Sequence, residues 1–223
     1  MVSMCGRFSL AEDIHRLQMQ FQFEYEGEFF PRYNIAPNQN ILTVIQGNKG
    51  RVGKQLRWGL IPFWAKDEKI GYKLINARAE TLDEKASFKH SLKKRRCLIL
   101  ADGFYEWKKD GKTKQPYRFV LKNREPFAFA GLWDRWEKGN EIIYSCTIIT
   151  TRPNELTEKV HDRMPVILTR ENQNAWLDRT IEDTEYLKSL LVPYDAEEME
   201  TYEVSTLINS PKNETKEVIV PLN

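Results

Sequence analysis

The sequence predicts a chain of short antiparallel strands flanked by a few short helices, in one domain or a tight pair. Three observations predict it. The chain has 223 residues, 41% hydrophobic and 30% charged, the balance of an ordinary globular protein of that size. Apolar runs of strand length recur between turn signals such as Asp110-Gly111 and Gly139-Asn140, as hairpin-linked strands do. Only short stretches keep helical spacing.

Taken in order, residues 11–23 read as an amphipathic helix, with Ile14, Leu17 and Phe21 at helical spacing and Ser9 as its cap. Residues 31–38 form a loop marked by Pro31 and Pro37. Strands are expected at 41–45 and 52–58, joined by a turn at 48–50, and a short one at 72–75. Residues 87–96 read as a helix and 97–101 as a strand. Strands at 116–121, 127–133 and 142–151 are expected to form an antiparallel meander. A short helix at 155–160, a strand at 166–169, helices at 172–177 and 184–191, and a strand at 202–205 follow. The polar tail from residue 209 is expected to be mobile.

Bulk numbers exclude some classes. No apolar run approaches the ~18 residues that would mark a membrane span. The start lacks a charged region followed by an apolar one, so no signal peptide is expected. A net charge of +2 argues against a histone-like binder but leaves room for a local basic groove. Cys5, Cys97 and Cys146 are widely spaced and form neither a disulfide framework nor a zinc pattern. A reducing cytoplasm is the expected home, and no metal or cofactor is expected.

Several segments carry chemistry. Cys5-Gly6-Arg7-Phe8 stands almost at the chain start. A cysteine that is the first residue carries an α-amine of pKa about 7.7–8 and a thiol of about 8.5. Together they trap an aldehyde: the amine forms a Schiff base and the sulfur closes a thiazolidine ring. Here Met1, Val2, Ser3 and Met4 precede Cys5, and an internal cysteine has its nitrogen in a peptide bond. The plainer alternative is a small core residue. Trp58-Gly59-Leu60-Ile61-Pro62-Phe63-Trp64, with Lys66 and Lys69 behind it, is either a hydrophobic corner or a stacking platform beside cations. In Asn76-Ala77-Arg78-Ala79-Glu80-Thr81, small residues let the polar ones stand out from the backbone.

Lys93-Lys94-Arg95-Arg96 is either a solvated helix end favoured by the dipole or a phosphate site. In Asp102-Gly103-Phe104-Tyr105-Glu106-Trp107, Glu106 lies between aromatics. It either points to water or, if buried, has a raised pKa suited to proton transfer near neutrality. His161 falls in a polar loop, where reactive residues are often presented. His15 and His90 lie in helical patterns and are weaker candidates.

Six of these segments in this order resemble the SOS response-associated peptidase (SRAP) family, across nearly the whole chain. They are Cys5-Gly6-Arg7-Phe8, Asn34-Ile35-Ala36-Pro37, Trp58-Gly59-Leu60-Ile61-Pro62, Asn76-Ala77-Arg78-Ala79-Glu80, Asp102-Gly103-Phe104-Tyr105-Glu106-Trp107 and His161-Asp162-Arg163-Met164-Pro165. The resemblance implies a single α+β domain over residues 1–223, with curved antiparallel sheets in a barrel-like core and peripheral helices. It implies a monomer that binds single-stranded DNA containing abasic sites, in the cytoplasm and on the nucleoid after damage. The terminal cysteine is expected to form a covalent thiazolidine link to the ring-opened sugar and so shield the lesion.

Cys5, Asn76, Glu106 and His161 are the catalytic set this implies. Asn76 would aim the amine or sugar, Glu106 would shuttle protons, and His161 would protonate the sugar oxygen. Arg7 and Arg78 suit flanking phosphates, Trp64 and Trp107 suit base stacking, and Asn34, Pro37, Thr150 and Arg163 complete the expected DNA contacts. Family members open with Met-Cys, so residues 1–4 are read as a leader or extension: either Met4 is the true start or the chain cleaves itself. Two other functions stay open, a thiol peptidase acting on peptides and a non-covalent single-strand-binding module.

Overall fold

A computed structural model describes residues 5–222; the expectation about residues 1–4 lies outside them. The chain runs β1 (Phe8–Leu10), α1 (Ile14–Phe21), β2 (Phe23–Glu24), β3 (Arg32–Ile35), β4 (Asn40–Gln46), β5 (Arg51–Trp58), β6 (Asn76–Arg78), α2 (Lys89–Lys94), β7 (Arg96–Ala101), β8 (Gly103–Asp110), β9 (Thr113–Leu121), β10 (Phe127–Lys138), β11 (Glu141–Thr151), β12 (Met164–Pro165), β13 (Ile167–Leu168), α3 (Arg170–Leu177), α4 (Thr184–Ser189) and β14 (Met199–Glu203).

Two sheets result. The smaller has the order β14-β9-β8-β1-β3. The larger closes on itself. Antiparallel pairing leads from β11 to β10, β7, β4 and β5. β5 then meets β11 in parallel, with Trp58 beside Cys146. A closed ring of five strands leaves no barrel edge open to stray pairing. The wall is tight at Gly131, where a Cβ would stand 2.9 Å from the Cys97 sulfur. The sheets join at Phe8 of β1, whose ring is edge-on to Trp58 at 5.2 Å and to Phe129 at 5.8 Å. The α+β architecture is therefore the expected one, with a barrel at its centre and helices outside.

Several expectations are corrected. The meander is broken: β9 belongs to the small sheet and β10 to the barrel. The turn between them places Arg124 at φ 61°, a left-handed kink that redirects the chain. The strand expected at 72–75 is a 3₁₀ segment, Glu68–Lys73, and extended chain begins at Asn76. The helix expected at 155–160 is a single 3₁₀ turn, Thr157–Lys159. The first helix is capped by Asp13, whose side chain accepts from the His15 and Arg16 amides. Ser9 is instead buried and donates to Asp102 Oδ1 at 2.6 Å.

The tail is packed, not loose. Ile208 and Val218 are wholly buried with Tyr105 and Val204. Glu214 accepts the Asn34 amide at 2.8 Å and the Tyr33 amide, and its other oxygen takes Arg32 Nε at 2.9 Å. A polar composition hid this because the carboxylate satisfies backbone donors at the head of β3.

The basic run at 93–96 splits between surface and core. Arg96 is 5% exposed and has no carboxylate partner among the described residues. Its guanidinium donates to the Leu92 and Lys93 carbonyls at 2.8 and 2.7 Å, to Trp176 at 2.6 Å and to Asp178. It thus covers the carbonyl ends of both α2 and α3, where the helix dipoles favour a cation. Replacing Arg96 with Met is expected to orphan these carbonyls and destabilise the fold by about 3 kcal/mol. Urea unfolding of the two chains measures it; a loss under ~0.5 kcal/mol would contradict this role.

Candidate active site

The site grows from the alternation of β8. Phe104 and Glu106 face the main core, while Tyr105 and Trp107 face the small cluster under the tail, as period-two geometry requires. Glu106 is therefore 2% exposed. β1 runs antiparallel to β8 with Phe8 opposite Phe104, and the Tyr105 amide donates to the Arg7 carbonyl at 3.0 Å. The chain upstream of Phe8 is thereby led across Glu106. The Cys5 backbone N–H donates to Glu106 Oε1 at 2.7 Å. Cys5 itself is buried and holds φ at 42°, a left-handed conformation uncommon outside glycine.

Burial dominates the electrostatics. It pushes the Glu106 carboxyl up to about 8, against the lowering pull of hydrogen bonds from Cys5. The Cys5 thiol is raised well above its ordinary value, first by burial and then by the Glu106 charge and hydrogen bond. Sulfur and nitrogen of one residue thus both address one carboxyl.

His161 completes the cluster. Its Nε2 stands 4.0 Å from Glu106 Oε2. The Arg163 amide donates to His161 Nδ1 at 3.2 Å. Asp162 Oδ1 lies 3.1 Å from Nδ1, on a carboxylate that is largely exposed. The loop is anchored by the Arg163 fork, which donates to both Glu80 oxygens at 2.7 and 2.9 Å and to the Thr150 carbonyl at 2.8 Å. That hydrogen bond holds the Glu80 carboxyl below its usual range.

β6 lies parallel to β11, with Asn76 opposite Ile148 and Arg78 opposite Thr150. It is thus pinned beside the strand end that Arg163 grips. Asn76 Nδ2 is buried and finds no hydrogen-bond partner among the described residues. A buried donor left open is costly unless something supplies an acceptor.

The residues expected to touch DNA fall into two groups. Trp64 is 48% exposed and Arg78 is exposed, and Trp107 and Pro37 are half-buried. Trp107 donates its indole N–H to Asn209 at 2.7 Å and lies under the Arg7 guanidinium, 5.9 Å from its ring centre. Asn34 and Thr150 lie below the surface. Asn34 accepts Arg7 Nη1 at 2.6 Å and donates to the Ser210 and Asn213 carbonyls, each at 2.9 Å. Arg7 also reaches the Ile208 carbonyl at 2.6 Å. As placed, Asn34 and Thr150 are hydrogen-bonded to Arg7 and Arg163. Glu80 and Glu214 were given no part by sequence reasoning. Glu80 stood inside a singled-out segment, but nothing in the order of residues says which arginine it pairs with.

Among the described residues, no cluster of His, Cys, Asp or Glu is arranged to hold a metal ion, and no helix is long and apolar enough to cross a membrane.

Comparison with known proteins gives a consistent result. Residues 4–211 match the family described as SOS response associated peptidase (SRAP). The chain is 60% identical to the abasic site processing protein YoqW of Bacillus subtilis, over 97% of this chain and 99% of that one. It is 33% identical to the abasic site processing protein HMCES of Gallus gallus, covering 98% of this chain and 78% of the relative. Among solved structures, a protein from Bacteroides thetaiotaomicron superposes with a TM-score of 0.90 at 28% identity, over 98% of this chain and 100% of the other. With nearly its whole length matched, the chain belongs to the SRAP family.

Proposed function

We propose that this chain processes abasic sites in single-stranded DNA, its Cys5 amine and thiol trapping the lesion's aldehyde. The observation that carries the reading is the 2.7 Å contact between the Cys5 nitrogen and Glu106, with His161 on the carboxyl's other oxygen. The names of the relatives point to the same lesion.

The peptide bond ahead of Cys5 is hydrolysed, consuming one water and freeing an amine where the amide nitrogen stands. The route is self-cleavage, or synthesis from Met4 and removal of that methionine. His161 protonates the sugar ring oxygen while the anomeric hydroxyl gives up its proton through solvent, which restores the histidine, opens the ring and exposes the aldehyde. The amine adds to the aldehyde carbon as the protonated Glu106 gives its proton to the carbonyl oxygen and takes one back from the nitrogen. Glu106 then protonates the departing hydroxyl and takes the second amine proton, releasing water and leaving a neutral Schiff base. The thiol then adds to the imine carbon and gives up its proton to the ring nitrogen by way of the carboxyl. Aminothiol and aldehyde thus yield a thiazolidine and one water. The open donor of Asn76 suits a sugar oxygen. Arg78 and the half-exposed aromatics suit the flanking strand. A monomer is enough for this work, and such a protein belongs to the cytoplasmic DNA-damage response.

A thiol peptidase fits less well. It needs a thiolate, and burial holds the Cys5 thiol in its protonated form.

Three outcomes are expected. Single-stranded DNA with one abasic site forms a heat-stable adduct whose mass lacks residues 1–4, and Cys5→Ala abolishes it; an adduct retaining Met4 would falsify the aminothiol mechanism. Glu106→Gln keeps an oxygen for the Cys5 nitrogen but carries no proton, so adduct formation slows by about 10²-fold in single-turnover gels; an unchanged rate removes Glu106 from proton transfer. The third concerns stability in the unprocessed chain. The folded carboxyl titrates near 8 and its reference value is 4.5. Between those values the folded chain holds a proton that the unfolded chain has lost. Stability therefore falls as pH rises through that window, by at most about 1.4 kcal/mol per pH unit from this group. Melting curves from pH 5 to 8.5 are expected to show a steeper decline for the parent than for Glu106→Gln; parallel declines would show that the carboxyl is not desolvated.

A further inference from the structure

A second recess, sharing no residue with the site above, opens between the β4–β5 turn and the ends of α2 and α3. Its volume is about 750 Å³. His90, Lys94, Arg95, Arg96 and Arg179 line it with Trp133, and no carboxylate does. The neutralising acids stand outside it. Asp134, 1% exposed, pairs with Arg95, and Glu182 pairs with Lys94 at the surface. Arg96 is occupied by helix carbonyls. Arg179 is exposed, donates to the Asn48 side-chain oxygen at 3.4 Å and meets no carboxylate among the described residues. Lys94 has donors left after its single pairing.

The recess is larger than one phosphate needs, and aromatic rings border it. The Arg95 guanidinium lies over Trp133, 5.5 Å from the ring centre. At the rim, His90 packs against Phe63 at 5.3 Å, and Phe63 and Trp64 are 50% and 48% exposed. One carboxylate ties rim and wall together: Asp134 accepts the Phe63 amide at 2.9 Å and also pairs with Arg95. The aromatic segment reaches the reacting site at its other end, where the Leu60 amide donates to the Leu74 carbonyl at 3.0 Å, two residues before Asn76. The segment thus meets the Asn76 side through Leu60 and the wall of the recess through the Phe63–His90 contact. Cations that follow a backbone beside faces on which bases stack are the surface that single strands bind.

We propose that this recess is a second, non-covalent subsite for the phosphodiester backbone of single-stranded nucleic acid, lengthening the footprint beyond the reacting site. The proposal rests on the single-strand reading above and adds a place that the covalent chemistry does not use.

The test is the Lys94→Gln/Arg179→Gln double variant, whose changes are both at the surface, with melting temperature checked against the parent. Fluorescence anisotropy compares undamaged strands of about 20 and about 6 nucleotides, one beyond and one near the short end of the ~4–16 that one such groove covers. The long strand is expected to bind about tenfold more weakly at ~0.1 M salt. The slope of its log affinity against log salt should be shallower by about 1.4, two contacts at ~0.7 each. The short strand's affinity, and the adduct rate on a short abasic strand, are expected to stay unchanged. Equal affinity and slope for the long strand, or an equal loss at both lengths, overturns the subsite. So does protection of Arg179 by inorganic phosphate with no competition from the long strand. Adduct formation is scored separately: its absence, with the length-dependent loss intact, sinks the covalent reading and leaves the subsite standing.

Discussion

Taking the Glu106 carboxyl out of water is the constraint to which the rest of the site answers. A buried acid costs stability wherever the surroundings would ionise it. The fold accepts that cost by giving the carboxyl defined company: the Cys5 nitrogen on one oxygen and the His161 ring near the other. Each neighbour is delivered by different machinery. β1 carries Cys5 past β8 by strand pairing, and the Arg163–Glu80 fork sets the histidine loop. Asn76 comes on a three-residue strand held by β11. The cluster therefore stands where the small sheet meets the barrel, and neither sheet alone contains it.

The far face of β8 does related work. Tyr105 and Trp107 point away from the carboxyl into a small core closed by Ile208 and Val218. Through Asn34, Arg7 and Glu214, that core ties the first strand to the last segment of the chain. The side of the site next to Arg7 is thus built from residues about two hundred positions apart in sequence. Long-range contacts of this kind rigidify a site because no single loop can move without its partners.

Much of this was legible in the sequence, and what was not has physical causes. The strands of the barrel followed from apolar runs and turn signals. The six segments marked the chain's family, whereas for Glu106 the sequence left water and burial both open, and the structure buries it. Which strand joins which sheet was not legible. The break between β9 and β10 turns on one left-handed residue, Arg124, whose type does not announce it. The tail was misread because composition reports polarity, whereas Glu214 is polar in order to satisfy buried amides. The burial of Asn34 was not legible either, because an asparagine in a loop-like segment carries no mark of it. Its neighbours come from the far end of the chain.

The left-handed turn at Cys5 bears on the processing step. A φ angle exists only while a carbonyl carbon precedes the nitrogen. At 42° that torsion crowds a side chain bearing a Cβ, at a cost on the order of 1 kcal/mol. In the proposed mature form the nitrogen is an amine free to spin, and the crowding has no torsion left to act on. Cutting ahead of residue 5 would therefore run downhill in backbone strain, and rejoining the pieces would have to restore it.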